Sequence, residues 1–282
     1  MKLIGVIGAG VMGRGLAHVI AQSGFKVVLV DLNEEILEKA RNEIYKNVQM
    51  QILYKKSTVK PKEVIDNICF TTDYNKLKDV DYLIENTNEN IELKKEIFRK
   101  LNNICRKECI FAINTSCISI TKIAAITNYP DKIIGIHFMN PVPMKPAVEV
   151  IKGYHTSEET IEATKEFLSL IEKKGIIVND LPGFVSNRIS HLFMNEAAFV
   201  VQDNVATPQQ VDEIFKMCFG HTMGPLETAD LIGLDTVVDS LNVLYESYQD
   251  SKFRVCPLLR KMVDAGLLGV KSGQGFYEYM IK

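Results

Sequence analysis

Short apolar segments alternate with amphipathic segments through the first two thirds of the chain. The apolar segment at residues 2–7 leads into a glycine-rich turn and a helical pattern that ends near Gly24, and a second apolar segment at 26–30 ends at Asp31. A strand, a turn, a helix and a second strand within about thirty residues have the size of a βαβ unit. We therefore predict a βαβ unit at the start of the chain.

The same alternation continues to about residue 178. A long charged helical pattern runs from Asn33 to about Lys56, where the basic stretch at 55–62 interrupts it. Further strands are predicted at 68–71, 82–85, 110–114, 133–137 and 147–151, and further helices at 91–102, 120–127 and 157–174. Such alternation predicts an α/β fold with a mostly parallel sheet that helices cover on both faces.

The pattern changes at the Leu-Pro-Gly-Phe segment 181–184. Beyond it no segment has a convincing strand pattern, and helical patterns cover 185–201, 208–219, 233–248 and 258–265. We therefore predict an α/β domain over residues 1–183 and a helical domain over residues 184–282, both of ordinary domain size.

Composition and charge narrow the functional classes. The 282 residues are 46% hydrophobic and 24% charged, which allows a large core and argues against disorder. The net charge of −2 argues against a nucleic-acid partner. No apolar run reaches the ~18–20 residues that span a bilayer, so we expect no membrane partner. The six cysteines form neither a disulfide framework nor a zinc pattern, which favours free thiols in the cytoplasm and no metal site.

The glycine-rich turn has the spacing Gly8-x-Gly10-x-x-Gly13 between the first predicted strand and helix. In dinucleotide-binding domains the first glycine allows a tight turn, the second lets a pyrophosphate approach the backbone, and the third lets helix and strand pack closely. Asp31, which ends the second strand, is expected to accept hydrogen bonds from a ribose diol and to repel a 2′-phosphate. The segment therefore predicts an NAD site. The alternative is a glycine-rich turn of another α/β fold.

A histidine and a glutamate form a candidate proton-transfer pair. His137 ends the predicted strand 133–137, and open α/β sheets bind their ligands at the carboxyl ends of strands. Glu149 follows twelve residues later within an apolar segment, where a carboxylate is costly unless it is paired. Paired with Glu149, His137 could act as a general base. From the pattern alone, a hydrogen-bonded core histidine is the alternative.

Seven motifs in a fixed order indicate a resemblance to a known family. They are GAGVMG at 8–13, NTS at 114–116, HFMNPVP at 137–143, VEVI at 148–151, PGFVSNR at 182–188, HTMGPLE at 221–227 and KSGQGFY at 271–277. Together they span essentially the whole chain, which resembles the 3-hydroxyacyl-CoA dehydrogenase family and especially its short bacterial 3-hydroxybutyryl-CoA dehydrogenases. The resemblance implies a Rossmann-type doubly wound sheet followed by an all-helical C-terminal domain, an NAD cofactor and a homodimer.

The resemblance also implies roles for individual residues. His137 is expected to take the hydroxyl proton as general base, Glu149 to pair with it, and Ser116 to hydrogen-bond the reacting oxygen. Asn187 is expected to hold the substrate or the histidine. The cofactor-binding residues that the resemblance implies are Gly8, Gly10, Val11, Met12, Gly13, Asp31, Glu89 and Asn114. Without the resemblance, Ser116 could bond local backbone, and Asn187 could be a helix-start residue.

Departures from the family pattern leave the substrate open. They occur at Cys117, at Met139, at Pro146-Ala147 and at the polar segment Asn86-Thr87-Asn88, which replaces small apolar residues. We expect the reaction type to stay the same. The substrate is either a short-chain (S)-3-hydroxyacyl-CoA or a small polar 3-hydroxyacyl group on an acyl carrier protein, as in relatives that make polyketide extender units. The basic stretch 55–62 suits CoA phosphates or an acidic carrier protein, or it is a solvated helix end.

Two further interpretations concern the whole protein. A non-catalytic NAD-binding protein would have the same fold, although the intact catalytic set argues against it. An apolar stripe with helical spacing suits a homodimer interface, or alternatively the core of the helical domain. The stripe consists of Phe193, Met194, Ala197, Val200 and Val201.

Overall fold

The computed structural model describes residues 2–54 and 57–280, so Lys55 and Lys56 of the basic stretch lie outside the described residues. The chain divides into two compact units that meet between Leu181 and Pro182. The boundary predicted at residue 183 differs from this division by two residues. The first unit contains the strands of the sheet, and the second is built mainly from helices.

Eight strands and six helices make up the described part of the first unit. The strands are β1 (Leu3–Ile7), β2 (Lys26–Val30), β3 (Ile68–Thr71), β4 (Tyr82–Glu85), β5 (Ile110–Asn114), β6 (Ile133–His137), β7 (Ala147–Lys152) and β8 (Lys174–Asn179). The helices are α1 (Val11–Gln22), α2 (Glu34–Leu53), α3 (Pro61–Asp66), α4 (Ile91–Ile104), α5 (Ile120–Ala124) and α6 (Glu158–Leu170). The strands form one sheet in the order β3-β2-β1-β4-β5-β6-β7-β8.

β1 marks the point at which the strand order reverses. It pairs in parallel with β2 on one side and with β4 on the other. Four of its five residues are buried, as expected for a parallel strand that is covered on both faces and therefore has a continuous apolar sequence. In a doubly wound sheet, the crevice that binds ligands opens at the carboxyl ends of the strands at this point. The predicted Rossmann-type fold class is confirmed.

β6 and β7 are antiparallel, whereas β5 and β6, and β7 and β8, are parallel pairs. The connection between β6 and β7 contains Pro141, Pro143 and Pro146 and only a short 3₁₀ turn at Val142–Met144. The chain therefore reverses direction without a crossover helix. The resulting register places His137 directly opposite Glu149.

The second unit contains five helices among its described residues. They are α7 (Ser186–Gln202), α8 (Pro208–Phe219), α9 (Pro225–Ile232), α10 (Leu234–Tyr248) and α11 (Pro257–Asp264). Two members of the apolar stripe, Met194 and Ala197, are buried in the core of this unit, and Val200 and Val201 pack against that core. Two of the five side chains are therefore used by the core of the unit, whereas Phe193, Val200 and Val201 stay partly exposed.

Two buried aspartates hold the C-terminal segment against the helices of the second unit. Asp230 accepts hydrogen bonds from the backbone N–H groups of Phe276 and Tyr277, both at 3.0 Å. Asp212 accepts from the Tyr277 hydroxyl at 2.8 Å and from the backbone of Leu226 in α9 at 2.9 Å. The segment Phe276–Tyr277 is thus hydrogen-bonded to both α8 and α9.

Two short helices, α3 and α9, were not predicted. α3 begins at Pro61, within the basic stretch 55–62 that we expected only to interrupt the preceding helix. Proline is favourable in the first turn of a helix, which explains this start. α9 has eight residues, too few to give a clear helical period. Within the described part of the chain, no helix combines the length and apolar character needed to cross a bilayer.

Candidate active site

The turn between β1 and α1 is shaped by its glycines. Gly8 has φ +87°, and a Cβ on it would lie 2.8 Å from the carbonyl oxygen of Asn86. A Cβ on Gly13 would lie 1.7 Å from the carbonyl oxygen of Gly8, so helix and turn can pack this closely only without a side chain. A Cβ on Gly10 would meet nothing within 4 Å. The backbone at Gly10 is therefore open to a ligand, as a pyrophosphate site requires.

The N-terminus of α1 and the carboxylate of Asp31 complete this turn. α1 begins at Val11, which is half exposed, and Met12 packs against the core. The first N–H groups of a helix and its dipole favour phosphate at this position. Asp31 accepts hydrogen bonds from Ala9 N at 2.6 Å and from Leu32 N at 2.7 Å. A carboxylate has about four lone-pair sites, so Asp31 can still accept bonds from a ribose. The residues present fit NAD.

His137 and Glu149 are hydrogen-bonded across the antiparallel pair β6–β7. The distance from His137 Nδ1 to Glu149 Oε2 is 2.9 Å, and the two side chains are 8% and 10% exposed. An ionised carboxylate only accepts hydrogen bonds, so it favours the imidazole tautomer with its proton on Nδ1. Nε2 is then the basic nitrogen, and the carboxylate stabilises the positive charge that the ring acquires when Nε2 takes a proton.

Ser116 lies on the other side of the histidine ring. Its Oγ is 3.2 Å from His137 Nε2. The serine follows the carboxyl end of β5, which is the parallel neighbour of β6. The structure thus brings together three of the four predicted catalytic residues in the order Ser116, His137, Glu149. A polar atom held against Ser116 Oγ and His137 Nε2 would be placed for proton transfer.

Asn114 connects the ends of three neighbouring strands. Its Oδ1 accepts a hydrogen bond from Phe138 N at 3.3 Å, directly after β6. Its Nδ2 donates to Asn86 Oδ1 at 2.8 Å, directly after β4. Asn86 in turn donates to the carbonyl of Ile84 at 3.1 Å. The side chain of Asn86, which is polar where the family has a small apolar residue, therefore has hydrogen-bond partners within the protein.

Glu89 lies beside the turn that carries Ser116. One of its carboxylate oxygens, Oε1, accepts hydrogen bonds from Thr115 Oγ1 at 2.5 Å, Ser116 N at 3.0 Å and Cys117 N at 2.9 Å. Glu89 was predicted as a cofactor-binding residue, and these contacts add a direct link to the serine turn. No local sequence pattern predicts that link, because the two segments meet only when β4 and β5 pair.

A buried ion pair at the ends of β4 and β5 was not predicted. Lys94 Nζ lies 2.6 Å from Glu85 Oε2, and both side chains are fully buried. The ammonium also lies 3.3 Å from the carbonyl of Thr87 and 3.4 Å from that of Asn114. Glu85 Oε1 accepts from the backbone and the hydroxyl of Thr87. The helical period of α4 contained a signal for the buried lysine alone, since Lys94 occupies a position on the apolar face with Phe98 and Leu101.

Asn187, the fourth predicted catalytic residue, lies in the first turn of α7 in the second unit. The cap position before this helix is Val185, and no side chain caps the helix. The structure therefore places Asn187 at the start of a helix, as the alternative interpretation expected, although the cap position itself belongs to Val185. The carbonyl oxygen of Asn187 lies 2.9 Å from His191 Nδ1, one turn further along the helix.

A cavity of about 1170 Å³ lies between α1, the end of α2 and the connection after β6. His18 lines it and is 1% exposed, and neither ring nitrogen has a hydrogen-bond partner among the described residues. Burial lowers the pKa of His18 below its ordinary value, and the side chain of the neighbouring Gln22 only partly opposes this shift. We did not predict His18, because it occurs among the apolar positions of α1.

A lysine on the wall of the same cavity holds the connection between His137 and Glu149. Lys173 Nζ donates hydrogen bonds to the carbonyl oxygens of Pro143 at 3.2 Å and Lys145 at 2.8 Å. Burial lowers the pKa of this ammonium, although the neighbouring charge of Glu172 favours its protonated form. The cavity wall therefore includes a buried cationic group.

Comparisons with known proteins assign the chain to a family. Residues 3–181 match the family model for the NAD binding domain of 3-hydroxyacyl-CoA dehydrogenase, and residues 183–279 match the model for its C-terminal domain. The two models together cover nearly the whole chain.

Individual relatives are similar over their full length. A probable 3-hydroxybutyryl-CoA dehydrogenase of Deinococcus radiodurans is 47% identical, with 98% of this chain and 99% of the relative covered. The 3-hydroxybutyryl-CoA dehydrogenase of Bradyrhizobium diazoefficiens is 43% identical, with 99% and 96% covered. The crystal structure of (S)-3-hydroxybutyryl-CoA dehydrogenase from Ralstonia eutropha is 39% identical and superposes with a TM-score of 0.97 over all of both chains. The chain therefore belongs to the 3-hydroxyacyl-CoA dehydrogenase family of NAD-dependent oxidoreductases.

Proposed function

We propose that this enzyme oxidises a short-chain (S)-3-hydroxyacyl-CoA, with (S)-3-hydroxybutyryl-CoA as its substrate. The observation that carries the proposal is the chain of hydrogen bonds from Ser116 Oγ through His137 to Glu149, at 3.2 Å and 2.9 Å. It lies at the carboxyl ends of strands in a sheet whose first turn fits NAD. The names of the relatives from Bradyrhizobium diazoefficiens and Ralstonia eutropha support the choice of acyl group.

In the proposed mechanism, the protein moves one proton and orients one oxygen. NAD, when bound, accepts the hydride that leaves C3 of the substrate. His137 Nε2 takes the proton of the C3 hydroxyl, while the Ser116 hydroxyl hydrogen-bonds the same oxygen. Glu149 keeps the proton of neutral His137 on Nδ1 and stabilises the imidazolium that forms. In the reverse direction the imidazolium returns the proton to the oxygen of the ketone.

The remaining site residues and domains receive proposed roles on the same basis. The pyrophosphate would lie on the turn with Gly8, Gly10 and Gly13 and on the start of α1. The ribose diol would bond Asp31, and Glu89 and Asn114 would lie near the reacting end of the cofactor. Asn187 would hold the substrate or the histidine. The first domain would thus bind NAD, and the helical domain would take part in substrate binding and form a dimer.

The cavity beside α1 suits the long, polar CoA part of such a substrate. It begins at the connection that leaves His137. Lys173 contributes a cationic group to its lining, as does Arg14, whose guanidinium pairs with Glu43 at 2.7 Å. CoA carries phosphates, which cationic groups attract. Part of the basic stretch, at Ser57 and Thr58, also belongs to this lining. These features support CoA as the carrier of the acyl group.

An acyl carrier protein as the partner has less support. That hypothesis rested mainly on the polar segment at Asn86, Thr87 and Asn88 and on Pro146. Asn86 bonds Asn114, and Thr87 bonds Glu85 through both its backbone and its hydroxyl. These two polar side chains therefore have structural partners within the sheet and require no special substrate. Assaying the same acyl group on CoA and on a carrier protein would separate the two hypotheses.

The test of the proposed function is NADH formation from (S)-3-hydroxybutyryl-CoA by the wild-type enzyme and by the variant His137→Ala. Losing a general base is expected to lower kcat by at least ~10², while the Kd for NADH stays the same. His155→Ala removes an exposed histidine of the same domain and should leave kcat unchanged. A wild-type protein that binds NADH but forms none from the thioester would favour the non-catalytic hypothesis. Full activity of His137→Ala would remove the histidine from the mechanism.

A homodimer is the proposed assembly. The apolar stripe on α7 is largely used by the core, but other helices of the second unit expose apolar side chains. On α8, Ile214 is 50% exposed and Met217 is 82% exposed, and Cys218 beside them is exposed as well. Residues three and four apart on a helix share a face. This exposed face of α8 supports a contact with a second copy of the chain.

A further inference from the structure

Glu89 has an unusual arrangement of donors for an exposed carboxylate. A single oxygen, Oε1, accepts three hydrogen bonds, and all three donors belong to consecutive residues of one turn. Two are the backbone N–H groups of Ser116 and Cys117, and the third is the hydroxyl of Thr115. Hydrogen bonds to an ionised acceptor are about twice as strong as neutral ones. Much of the hydrogen bonding of this turn therefore depends on one negative charge.

The same turn is fixed to the strand of the catalytic histidine. Thr115 N donates to the carbonyl of Ile136, the residue before His137, at 3.4 Å. Thr115 Oγ1, while donating to Glu89, accepts a hydrogen bond from Ile118 N at 3.0 Å. The position of Ser116 Oγ, 3.2 Å from His137 Nε2, is thus set by the conformation of residues 115–118.

Glu89 neither caps α4 nor pairs with the buried lysine of that helix, because neighbouring residues make both contacts. The N-terminus of α4 is capped by Asn90, whose side chain accepts from Leu93 N at 3.0 Å. The buried ammonium of Lys94 pairs with Glu85. Among the described residues, Glu89 takes part in no ion pair, and its described bonds all go to the serine turn.

We propose that Glu89 is a positioning residue that acts through Ser116. Its carboxylate holds the 115–118 turn so that the serine hydroxyl meets both His137 Nε2 and the oxygen that reacts. This proposal rests on the proposed function and adds to it a residue that need not touch the substrate. It differs from a role in cofactor binding alone, because a cofactor ligand would act independently of Ser116.

The experiment is a double-mutant cycle with Glu89→Gln, Ser116→Ala and the double variant. The glutamine keeps the size of the side chain and one carbonyl oxygen but removes the charge. We expect Glu89→Gln alone to lower kcat on (S)-3-hydroxybutyryl-CoA about tenfold, within the range of coupling energies between contacting residues. In the Ser116→Ala background the same change should lower kcat by less than about twofold. Because Glu89 is also proposed to lie near the cofactor, kcat is measured at saturating NAD, and any change in the Kd for NADH should be equal in both backgrounds.

A matched control removes a nearby charge that does not reach the turn. Glu92 lies in the first turn of α4 and pairs with Lys95 on the surface. Glu92→Gln should leave both kcat and the Kd for NADH unchanged. An equal effect of Glu89→Gln on kcat in both backgrounds would overturn the proposal, as would a loss of activity explained entirely by weaker NADH binding.

A second readout does not require turnover. Hydrogen exchange of the amides of Ser116 and Cys117 should be at least about tenfold faster in Glu89→Gln than in the wild type, because the variant loses the charged acceptor. Glu92→Gln should leave this exchange unchanged. If the wild-type protein does not oxidise the thioester, the proposed function fails by itself. The exchange rates then decide whether Glu89 holds the turn, and unchanged rates overturn the proposal.

Discussion

At the scale of the residue, we expect Asp31 to set the choice between NAD and NADP. Its carboxylate lies at the end of β2 and is held by Ala9 N at 2.6 Å. A 2′-phosphate beside this carboxylate would be repelled. We predict that Asp31→Asn, which keeps an acceptor for Ala9 N but removes the charge, lowers the ratio of kcat/KM with NAD to kcat/KM with NADP at least about tenfold.

A charge removed elsewhere provides the control for this prediction. Asp66, the last residue of α3, precedes the amino end of β3 and is exposed. Asp66→Asn should leave the ratio of the two kcat/KM values unchanged, which initial rates with each cofactor would measure. An unaltered ratio in Asp31→Asn would mean that other groups exclude the 2′-phosphate.

At the scale of the element, the buried pair Glu85–Lys94 ties α4 to the ends of β4 and β5. Both side chains are fully buried. Lys94→Met would leave the carboxylate of Glu85 buried without its counter-ion, and breaking one side of such a pair costs about 3–5 kcal/mol. We therefore predict a drop of that size in the free energy of unfolding of the first unit, measured in urea. The double variant Glu85→Gln/Lys94→Met should recover part of it, since no buried charge remains.

The neighbouring lysine gives a matched comparison. Lys95 pairs with Glu92 at the surface, and the Glu92 side chain is 71% exposed. Lys95→Met should change the free energy of unfolding by no more than about 1 kcal/mol, as is usual for exposed ion pairs. The losses in free energy of unfolding of Glu85→Gln and Lys94→Met should not simply add in the double variant. A double variant whose loss equals the sum of the two single losses would contradict the pairing of Glu85 with Lys94.

The site could be predicted from the sequence where it depends on a single strand or helix, but not where it depends on the pairing of strands. The position of His137 at a strand end and the cost of an unpaired Glu149 were visible in the sequence, and the proline-rich connection made a direct reversal between their strands possible. The contact of Glu89 with the turn at 115–117 depends on β4 pairing with β5, so no local pattern could reveal it. Lys94 is an intermediate case. Its place on the apolar face of α4 was visible, but its partner Glu85 was not.

At the scale of the whole molecule, the remaining prediction concerns assembly through the exposed face of α8. Met217 is 82% exposed and Ile214 is 50% exposed, which is costly for apolar groups that remain in water. If a second copy covers this face, a charge placed there must be buried without a partner, which strongly opposes association. We predict that the wild type sediments as a dimer and that Met217→Lys shifts it towards the monomer at micromolar concentration.

Tyr154→Lys, at a loop residue of the first unit that is 83% exposed, should leave the sedimentation coefficient unchanged. A wild-type monomer would contradict the homodimer, whereas a dimer that Met217→Lys leaves intact would move the interface to another face of the protein.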